Sequence, residues 1–538
     1  MRAKRHPIRV IFIITHLEKN YHIYIGKNYT VILQHFRQKN RKWNICGKKL
    51  LHLLLKYVKI YLSNLYSLEQ TSRRRNNMNK AIILAGGQGK RMKADMPKPL
   101  FKVLGEPMLE WVISACESAG VGDICVVKGF MGEMIDDYVG SRCRTVLQAE
   151  RLGTGHAVMQ AVPFLKEDES GNTLVLCGDA PFIDEETIRA SLAVHEEQGN
   201  AVTVITAELE DPHGYGRVIR TENGISGIVE QKDATDEQKL IREVNSGAYW
   251  FRTADLVELL GKLTNNNAQH EYYLTDTVSA ALAEGKSAGA FKSENADIIK
   301  GANDRKDLLE LNNYARNAVI EKHLANGVEF ICTDGVIIER GVEIGVGTEI
   351  LPGTILRKKT VVGKNCKIGP NTVVENCTIG DDVNLHTVQA YESTIEAGVK
   401  IGPYVHIRPD TTIKSGAKIG DFVELKNSVV GEKTAIAHLA YIGDSDIGRR
   451  VNIGCGTVTV NYDGITKRRC VIGDNCFVGS NTNLIAPVKL GKAVYTAAGT
   501  TVTKDVPDYA LAIDRGVMKV NEGYTLRKLK SKLAKEGK

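Results

Sequence analysis

The chain has 538 residues, with hydrophobic and charged fractions of 43% and 25%; it is too long for one domain and has the composition of an ordinary soluble protein. Its net charge of +8 is unevenly placed: residues 1–77 hold 17 Lys and Arg against only Glu18 and Glu69, which leaves the remainder with a net charge of −7. A mildly acidic body gives no reason to infer nucleic-acid binding, and the eleven cysteines include no Cys-x-x-Cys pair and no Cys/His cluster at zinc spacing, so reduced thiols in a cytosolic protein are expected.

The first 77 residues contain Val10–Ile14, too short for a signal-peptide core, and Leu50–Leu62, interrupted by His52, Lys56 and Lys59. Neither approaches a membrane span. The basic, acid-poor character would suit a transit peptide or an anionic membrane surface. However, Met78 is followed at once by Asn79-Lys80-Ala81-Ile82-Ile83-Leu84, which reads as the natural start of a first strand. Residues 1–77 are therefore expected to be an upstream extension, disordered or arising from a misassigned start, in preference to a targeting segment.

A first domain is expected over 78–302. The strand Lys80–Leu84 runs into Ala85-Gly86-Gly87-Gln88-Gly89-Lys90-Arg91-Met92, and Pro97-Lys98-Pro99-Leu100 follows closely. A strand entering a glycine-rich turn presents backbone N–H groups to phosphate. Leu174–Leu176 is a second strand, ending in Cys177-Gly178-Asp179. A carboxylate at a strand's carboxyl end is well placed to hold Mg²⁺, and Asn303 is a second ligand candidate.

This combination resembles the sugar-1-phosphate nucleotidyltransferases, in which a sugar phosphate attacks the α-phosphorus of a nucleoside triphosphate and expels pyrophosphate. Cations and oriented amides must offset the converging negative charge. The resemblance assigns that work to Leu84, Ala85, Gly86, Gly87, Arg91 and Lys98. Gln148-Ala149-Glu150-Arg151-Leu152-Gly153-Thr154 resembles the uracil-recognition segment, implicating Gln148, Gly153 and Thr154. Sugar recognition would fall to Tyr215-Gly216-Arg217, Glu230 and Asn245-Ser246-Gly247. The stretch Leu263–Asp276 is most similar to the bacterial bifunctional UDP-N-acetylglucosamine pyrophosphorylases / glucosamine-1-phosphate N-acetyltransferases. The chain departs from the family at Lys90 (usually Thr), Gly86 (often Ala) and Cys177 (often Tyr).

Asp304–Leu324 has helical spacing in Leu308, Leu309, Leu311, Ala315 and Val319, and predicts one long linker helix within 303–326. Beyond it a branched aliphatic recurs every sixth residue: Ile338, Ile344, Ile350, Leu356, Val362, Ile368 and Val374, then Ile395, Ile401, Ile407, Ile413, Ile419 and Leu425, then Ile472, Val478, Leu484, Leu490 and, past Thr496, Val502. Neither helix nor flat strand has a period of six, whereas a triangular parallel β-helix does. The pattern resembles the hexapeptide-repeat acyltransferases, whose coil is left-handed. The fold class is therefore a Rossmann-like α/β domain followed by a left-handed parallel β-helix at 327–515. With roughly 18 residues per coil and about 4.8 Å between strands, some nine coils make a rod on the order of 40–45 Å long. The basic tail, 516–538, is expected to be helix-prone, solvated and frayed.

Residues that break the rod's pattern are the candidates for chemistry. His406-Ile407-Arg408-Pro409, Phe422-Val423-Glu424-Leu425-Lys426, Ala437-His438-Leu439-Ala440-Tyr441 and Val451-Asn452-Ile453-Gly454-Cys455 match the acetyltransferase half of the bifunctional family. The resemblance implies that Arg408, Lys426, Tyr441 and Asn452 bind the sugar phosphate. It makes His438 the general base that takes a proton from the glucosamine amine as it attacks acetyl-CoA; histidine suits this because its unperturbed pKa of about 6.5 lies near working pH. Glu424 would orient His438 or the amine. Acetyl-CoA contacts would come from Cys455, Asn461, Tyr462, Ser480, Ala498 and Arg515, and the break at Thr459–Cys470 would project toward a neighbouring subunit of a homotrimer. Cys455 stands where the family commonly has Ala. Cys366, Cys377, Cys455 and Cys476 fall within the repeats, where a small hydrophobe would serve.

The expected protein is thus a cytosolic, Mg²⁺-dependent enzyme using UTP, acetyl-CoA, glucosamine-1-phosphate and N-acetylglucosamine-1-phosphate, with no nucleic-acid or membrane partner. Its product, UDP-N-acetylglucosamine, would feed cell-wall precursors. The alternative is a monofunctional nucleotidyltransferase whose β-helix serves only assembly or regulation, and a purely structural trimer is a third reading.

Overall fold

The computed structural model describes residues 22–25, 29–32, 79–222 and 224–537. The chain divides into two units, Met1–Asn77 and Met78–Lys538. In the first, His22–Ile25 and Tyr29–Ile32 pair antiparallel; the expectation for residues 1–77 otherwise lies outside the described residues.

The second unit begins with a nine-stranded sheet. Its centre is the strand Lys80–Ala85, which lies parallel to Asn172–Cys177 on one side and to Asp123–Lys128 on the other. These strands read as unbroken aliphatic runs because both of their faces are covered, as burial of Ala81, Ile82 and Ile83 shows. The loops after their carboxyl ends, Gly86 onward and Gly178-Asp179, therefore meet at one crevice, the usual ligand position in an open α/β sheet. The long strand Glu243–Arg252 adds antiparallel to Asn172–Cys177. Its pairing with Val202–Glu208 breaks register between Asn245 and Ala248, and such an irregularity re-aims neighbouring side chains.

Helix Arg305–Ala325 joins the two domains. It begins where Asp304 caps the free N–H groups of Lys306 and Asp307, and buries Leu311, Ala315, Val319, Ile320 and His323 along one stripe. Asn312 Oδ1 accepts the Leu104 N–H at 2.8 Å, tying the helix to the first domain. Arg340, at the start of the rod, reaches Glu106 at 2.8 Å and lies over the Trp111 ring.

The rod is a left-handed parallel β-helix. On one of its faces nine strands stack in parallel, and the other two faces carry ten and eleven levels, so the rod has at least nine coils. Glu343, Val361, Thr378, Thr394, Thr412, Val429, Asp446 and Val471 occupy successive levels of that face, in steps of 16 to 18 residues except for 25 between Asp446 and Val471. The long step is the Thr459–Cys470 insertion. The every-sixth aliphatics line the interior; Ile344 alone among those named is only partly buried. Thr496 takes an interior position because its hydroxyl is satisfied there, accepting from Gly479 N at 2.9 Å and meeting Thr482 Oγ1 at 3.0 Å. Cys366, Cys377 and Cys476 are interior fillers as expected, but Cys455 is exposed on a turn and is not one of them. The tail forms a helix, Tyr524–Lys535, with every described side chain exposed. Among the described residues no helix is long and apolar enough to cross a membrane.

Candidate functional site

The crevice at the central strands is a cleft of about 550 Å³. Lys98, Asp179, Gly216, Glu230, Asn245 and Asn303 line it, joined by Tyr215, Asp307 and Glu310. At its floor the Lys98 ammonium lies 2.6 Å from Asp179 Oδ2 and donates to Asn303 Oδ1 at 3.1 Å. Two hard oxygen donors thus converge on one positive charge. That donor chemistry fits Mg²⁺, which takes one or two protein oxygens and completes its shell with water and substrate phosphate. Among the described residues no cluster of three or more His, Cys, Asp or Glu offers an all-protein metal cage. Leu84 and Ala85 end the central strand, and Leu84 O accepts Gly178 N–H at 2.9 Å, which locks the Asp179 turn to the glycine-rich loop. Arg91 is exposed, close enough to help hold the Asp304 carboxyl below its usual range, after the backbone N–H groups of Asp307 and Lys306.

The end of the cleft lined by Gly216, Glu230 and Asn245 is tightly braced. Asn245 donates to Tyr249 Oη at 2.6 Å and accepts Gly247 N–H at 2.9 Å, while its own N–H reaches Gly216 O. Burial pushes the Glu230 carboxyl up. Arg217 departs from expectation: it is 1% exposed, and its guanidinium donates to Tyr215 O and to Gln231 Oε1. It braces the loop bearing Tyr215 and Gly216 instead of facing a ligand.

Gln148, Gly153 and Thr154 are brought together by the Leu263–Asp276 stretch. Tyr272 N donates to Leu152 O at 2.7 Å, Gly155 N to Tyr272 O at 2.8 Å, and Leu274 N to Thr154 Oγ1 at 3.0 Å. Gly153 has a φ of +107°, and a Cβ there would stand 2.6 Å from Tyr272 O, so only glycine fits.

On the rod, consecutive coils gather a cationic group. Arg408 pairs with Glu424 at 3.0 Å, and Tyr441 Oη and Asn461 Nδ2 meet above Gly443. Lys426 lies 4.0 Å from Asp444, whose side chain is nearly fully enclosed. Burial would raise the Asp444 carboxyl, but hydrogen bonds from Asn427 and Asn461 and the charge of Lys426 hold it below the usual range. Lys467, on the insertion, faces Lys426, and that contact lowers its pKa. Two ammonium groups beside one enclosed carboxylate, with the Arg408–Glu424 pair on the neighbouring coils, make a site with an appetite for an anion. The insertion itself is a small hairpin, with Tyr462 bridged to Lys467 and Asp463 accepting from Ile465, Thr466 and the Thr466 hydroxyl.

His438 is 63% exposed, and its Nδ1 lies 2.9 Å from Asp421 Oδ1. The carboxylate at the histidine is therefore Asp421, one coil below, and not Glu424, which is engaged by Arg408. From His438 a column of turns rises along the rod. Gly456 N donates to Leu439 O, Asn481 N to Cys455 O, and Gly499 N to Ser480 O. Cys455, Ser480 and Ala498 thus stand on successive coils, a column about 10 Å long at about 4.8 Å per coil. Arg515 is exposed just beyond, next to Asp514, whose N–H reaches Thr500. Asn452 is exposed on the coil above Ala435.

Reasoning from sequence missed Asp421, Asp444 and Lys467. The first two lie 17 residues from partners already singled out, which is one coil; Lys467 opens the run Lys467-Arg468-Arg469 inside the insertion.

Comparison with known proteins agrees with this geometry. Residues 80–304 match the family described as nucleotidyl transferase, and residues 389–490 match the GMPPB C-terminal domain. The bifunctional protein GlmU of Acetivibrio thermocellus is 44% identical over 449 residues, covering 83% of this chain and 97% of that protein. That of Caldanaerobacter subterraneus subsp. tengcongensis is 46% identical over 451 residues, covering 84% and 98%. That of Acholeplasma laidlawii is 42% identical over 459 residues, covering 85% and 99%.

Proposed function

Because the chain belongs to the family of bifunctional GlmU proteins, we infer that it carries two transferase activities, an acetyltransferase on the rod and a uridylyltransferase in the α/β domain. The rod acetylates glucosamine-1-phosphate from acetyl-CoA. The first domain then transfers UMP from UTP to N-acetylglucosamine-1-phosphate, releasing pyrophosphate and UDP-N-acetylglucosamine for cell-wall synthesis. The observation that carries the pair is the occurrence, in one chain, of the Lys98–Asp179–Asn303 cluster and the Asp421–His438 pair with its cationic group.

In acetyl transfer, Arg408, Lys426, Lys467 and Tyr441 hold the sugar phosphate. His438 Nε2 takes a proton from the glucosamine amine as its nitrogen attacks the thioester carbon; the N–C bond forms, the C–S bond breaks, and the CoA sulfur leaves as thiolate and is protonated. Asp421 accepts from Nδ1–H and keeps Nε2 free to act as base. The column Cys455, Ser480 and Ala498 carries the CoA arm toward Arg515. In uridylyl transfer, a phosphate oxygen of N-acetylglucosamine-1-phosphate attacks the α-phosphorus and the bond to pyrophosphate breaks. Lys98, Arg91 and the amides after Ala85 offset the developing charge. Mg²⁺, held by Asp179 and Asn303, supplies further charge neutralisation when bound.

We also propose that three rods assemble side by side as a cytosolic homotrimer. Supporting this, Tyr404, Phe422 and Leu439 are exposed on successive coils, and so are Phe477, Tyr495 and Leu511. Tyr404 stacks on Phe422, and Phe477 on Tyr495, each at 5.4 Å. Apolar columns of this kind on a rod mark association surfaces, and Phe422 and Leu439 directly follow Asp421 and His438.

Incubating the full chain with glucosamine-1-phosphate, acetyl-CoA, UTP and Mg²⁺ tests the reading, with UDP-N-acetylglucosamine as the expected product. A protein that uses N-acetylglucosamine-1-phosphate but never consumes acetyl-CoA would make the rod a scaffold. Cys455 adds a second check. It is the most exposed cysteine among the described residues, Cys177 and Cys332 being half-buried and the rest buried, and it lies on the proposed CoA track. A thiol reagent is expected to inhibit acetyl transfer, and Cys455→Ala to abolish that inhibition; unchanged inhibition would contradict the placement of the track.

A further inference from the structure

Arg305 is the first residue of the linker helix, where a cation opposes the positive end of the helix dipole. Helix formation does not call for it there, and its contacts lie outside the helix. Its Nε donates to Met92 O at 3.0 Å. Its guanidinium lies over the Phe101 ring, 4.8 Å from the ring centre. Both partners are buried, and each belongs to a segment that carries a charged group of the nucleotidyl-transfer site. Met92 directly follows Arg91 and ends the short helical turn Lys90–Met92, which closes the glycine-rich loop. Phe101 caps the turn Lys98–Leu100, its N–H donating to Lys98 O at 3.2 Å. On the helix side, Arg305 stands two residues after Asn303, whose N–H donates to Asp307 Oδ2 at 2.7 Å and whose Oδ1 accepts from Lys98. One side chain thus joins the three segments that bear Arg91, Lys98 and Asn303. The cleft lining passes from Asn303 to Asp307 and leaves Arg305 out.

Resting on the uridylyltransferase reading above, we propose that Arg305 is a positioning residue for uridylyl transfer, which holds the glycine-rich loop, the Lys98 turn and the Asn303 helix start in one register without touching a substrate. Cationic groups that offset charge in a transition state work because they are aimed beforehand, and a displacement of about 1 Å can cost about 10²-fold in rate. The loop that presents Arg91 has three glycines among residues 86–89 and little stiffness of its own, so an external brace at Met92 matters there. The end of the cleft at Gly216 and Asn245 is braced by its own hydrogen bonds, and binding of the sugar phosphate does not depend on Arg305.

The test compares full-length wild type, Arg305→Ala and Arg305→Lys in uridylyl transfer from UTP to N-acetylglucosamine-1-phosphate, with the Kd for UTP measured by calorimetry in Mg²⁺ without the sugar phosphate. Removing a cation from the helix start favours the helix, so Arg305→Ala is expected to fold and to keep its acetyl transfer. Its kcat for uridylyl transfer is expected to fall by about tenfold to a hundredfold and its Kd for UTP to rise by about threefold or more, with KM for N-acetylglucosamine-1-phosphate unchanged. Arg305→Lys retains a donor for Met92 O and a cation over Phe101, and is expected to return to within about threefold of wild type. A kcat in Arg305→Ala within about threefold of wild type, a loss that Arg305→Lys does not repair, or an equal loss of acetyl transfer overturns the proposal. If Arg305→Ala does not fold, Arg305→Gln, which keeps much of the stem without the charge, takes its place under the same expectations. A wild-type protein inactive with UTP would overturn the uridylyltransferase reading itself, and this inference with it.

Discussion

Replacing His438 by alanine is expected to lower acetyl transfer by about 10²–10⁴-fold, the range a positioned general base contributes. Uridylyl transfer from supplied N-acetylglucosamine-1-phosphate should be unchanged, because His438 sits on the rod, many coils from the Lys98–Asp179 cluster. A coupled assay would then make UDP-N-acetylglucosamine only when the acetylated sugar phosphate is added. Asp421→Asn should fall between wild type and His438→Ala: the side chain keeps its size, but its amide can offer a donor to Nδ1 and favour the wrong tautomer. Both residues of the pair are well exposed, so the effect should be smaller than in a buried triad. Glu424→Gln tests the alternative directly. If it were to change the pH–rate profile while Asp421→Asn did not, the carboxylate assignment would be wrong, and full acetyl transfer by His438→Ala would remove the base assignment altogether.

Asp179→Ala is expected to lower uridylyl transfer by about 10²–10³-fold, comparable to the loss of one preorganised charge-stabilising contact, and to leave acetyl transfer intact. Asp179 has two roles in the cleft. It holds Lys98 at 2.6 Å, and it supplies the charged half of the oxygen pair that Asn303 completes. Asp179→Asn separates these, since it retains the shape and one oxygen but removes the charge that fixes the lysine and attracts a divalent ion. A raised Mg²⁺ requirement in Asp179→Asn, measured by titrating the metal against initial rate, is the expected signature. Activity within about threefold of wild type in Asp179→Ala would show that the carboxylate does not serve this chemistry.

The rod was legible from the sequence because every coil contacts only its neighbours. A six-residue period of buried aliphatics is a local rule repeated, so counting residues suffices to place Ile395, Ile401 and Ile407 inside. The glycine-rich turn after Lys80–Ala85 and the acid after Asn172–Cys177 were legible for a similar reason: each depends on one strand and the turn that ends it. The linker helix was visible in its stripe of Leu311, Ala315 and Val319.

Contacts between levels and between distant segments were decided only by the tertiary structure. Asp421 meets His438 and Asn461 meets Asp444 because one coil of 17 residues stacks them, a spacing that the shortened coils shift from the 18 the repeat suggests. Arg217 directly follows Gly216, which lines the cleft, yet strand alternation turns it into the interior, where its two terminal nitrogens donate to backbone carbonyls and to Gln231. Cys455 belongs to a repeat but falls on its outward turn. The clamp of Leu263–Asp276 on Gln148–Ala157 joins residues more than a hundred positions apart. The sequence by itself determined the repeating secondary structure and the residue types available for chemistry; which of those residues touch was decided by chain crossings that no local pattern encodes.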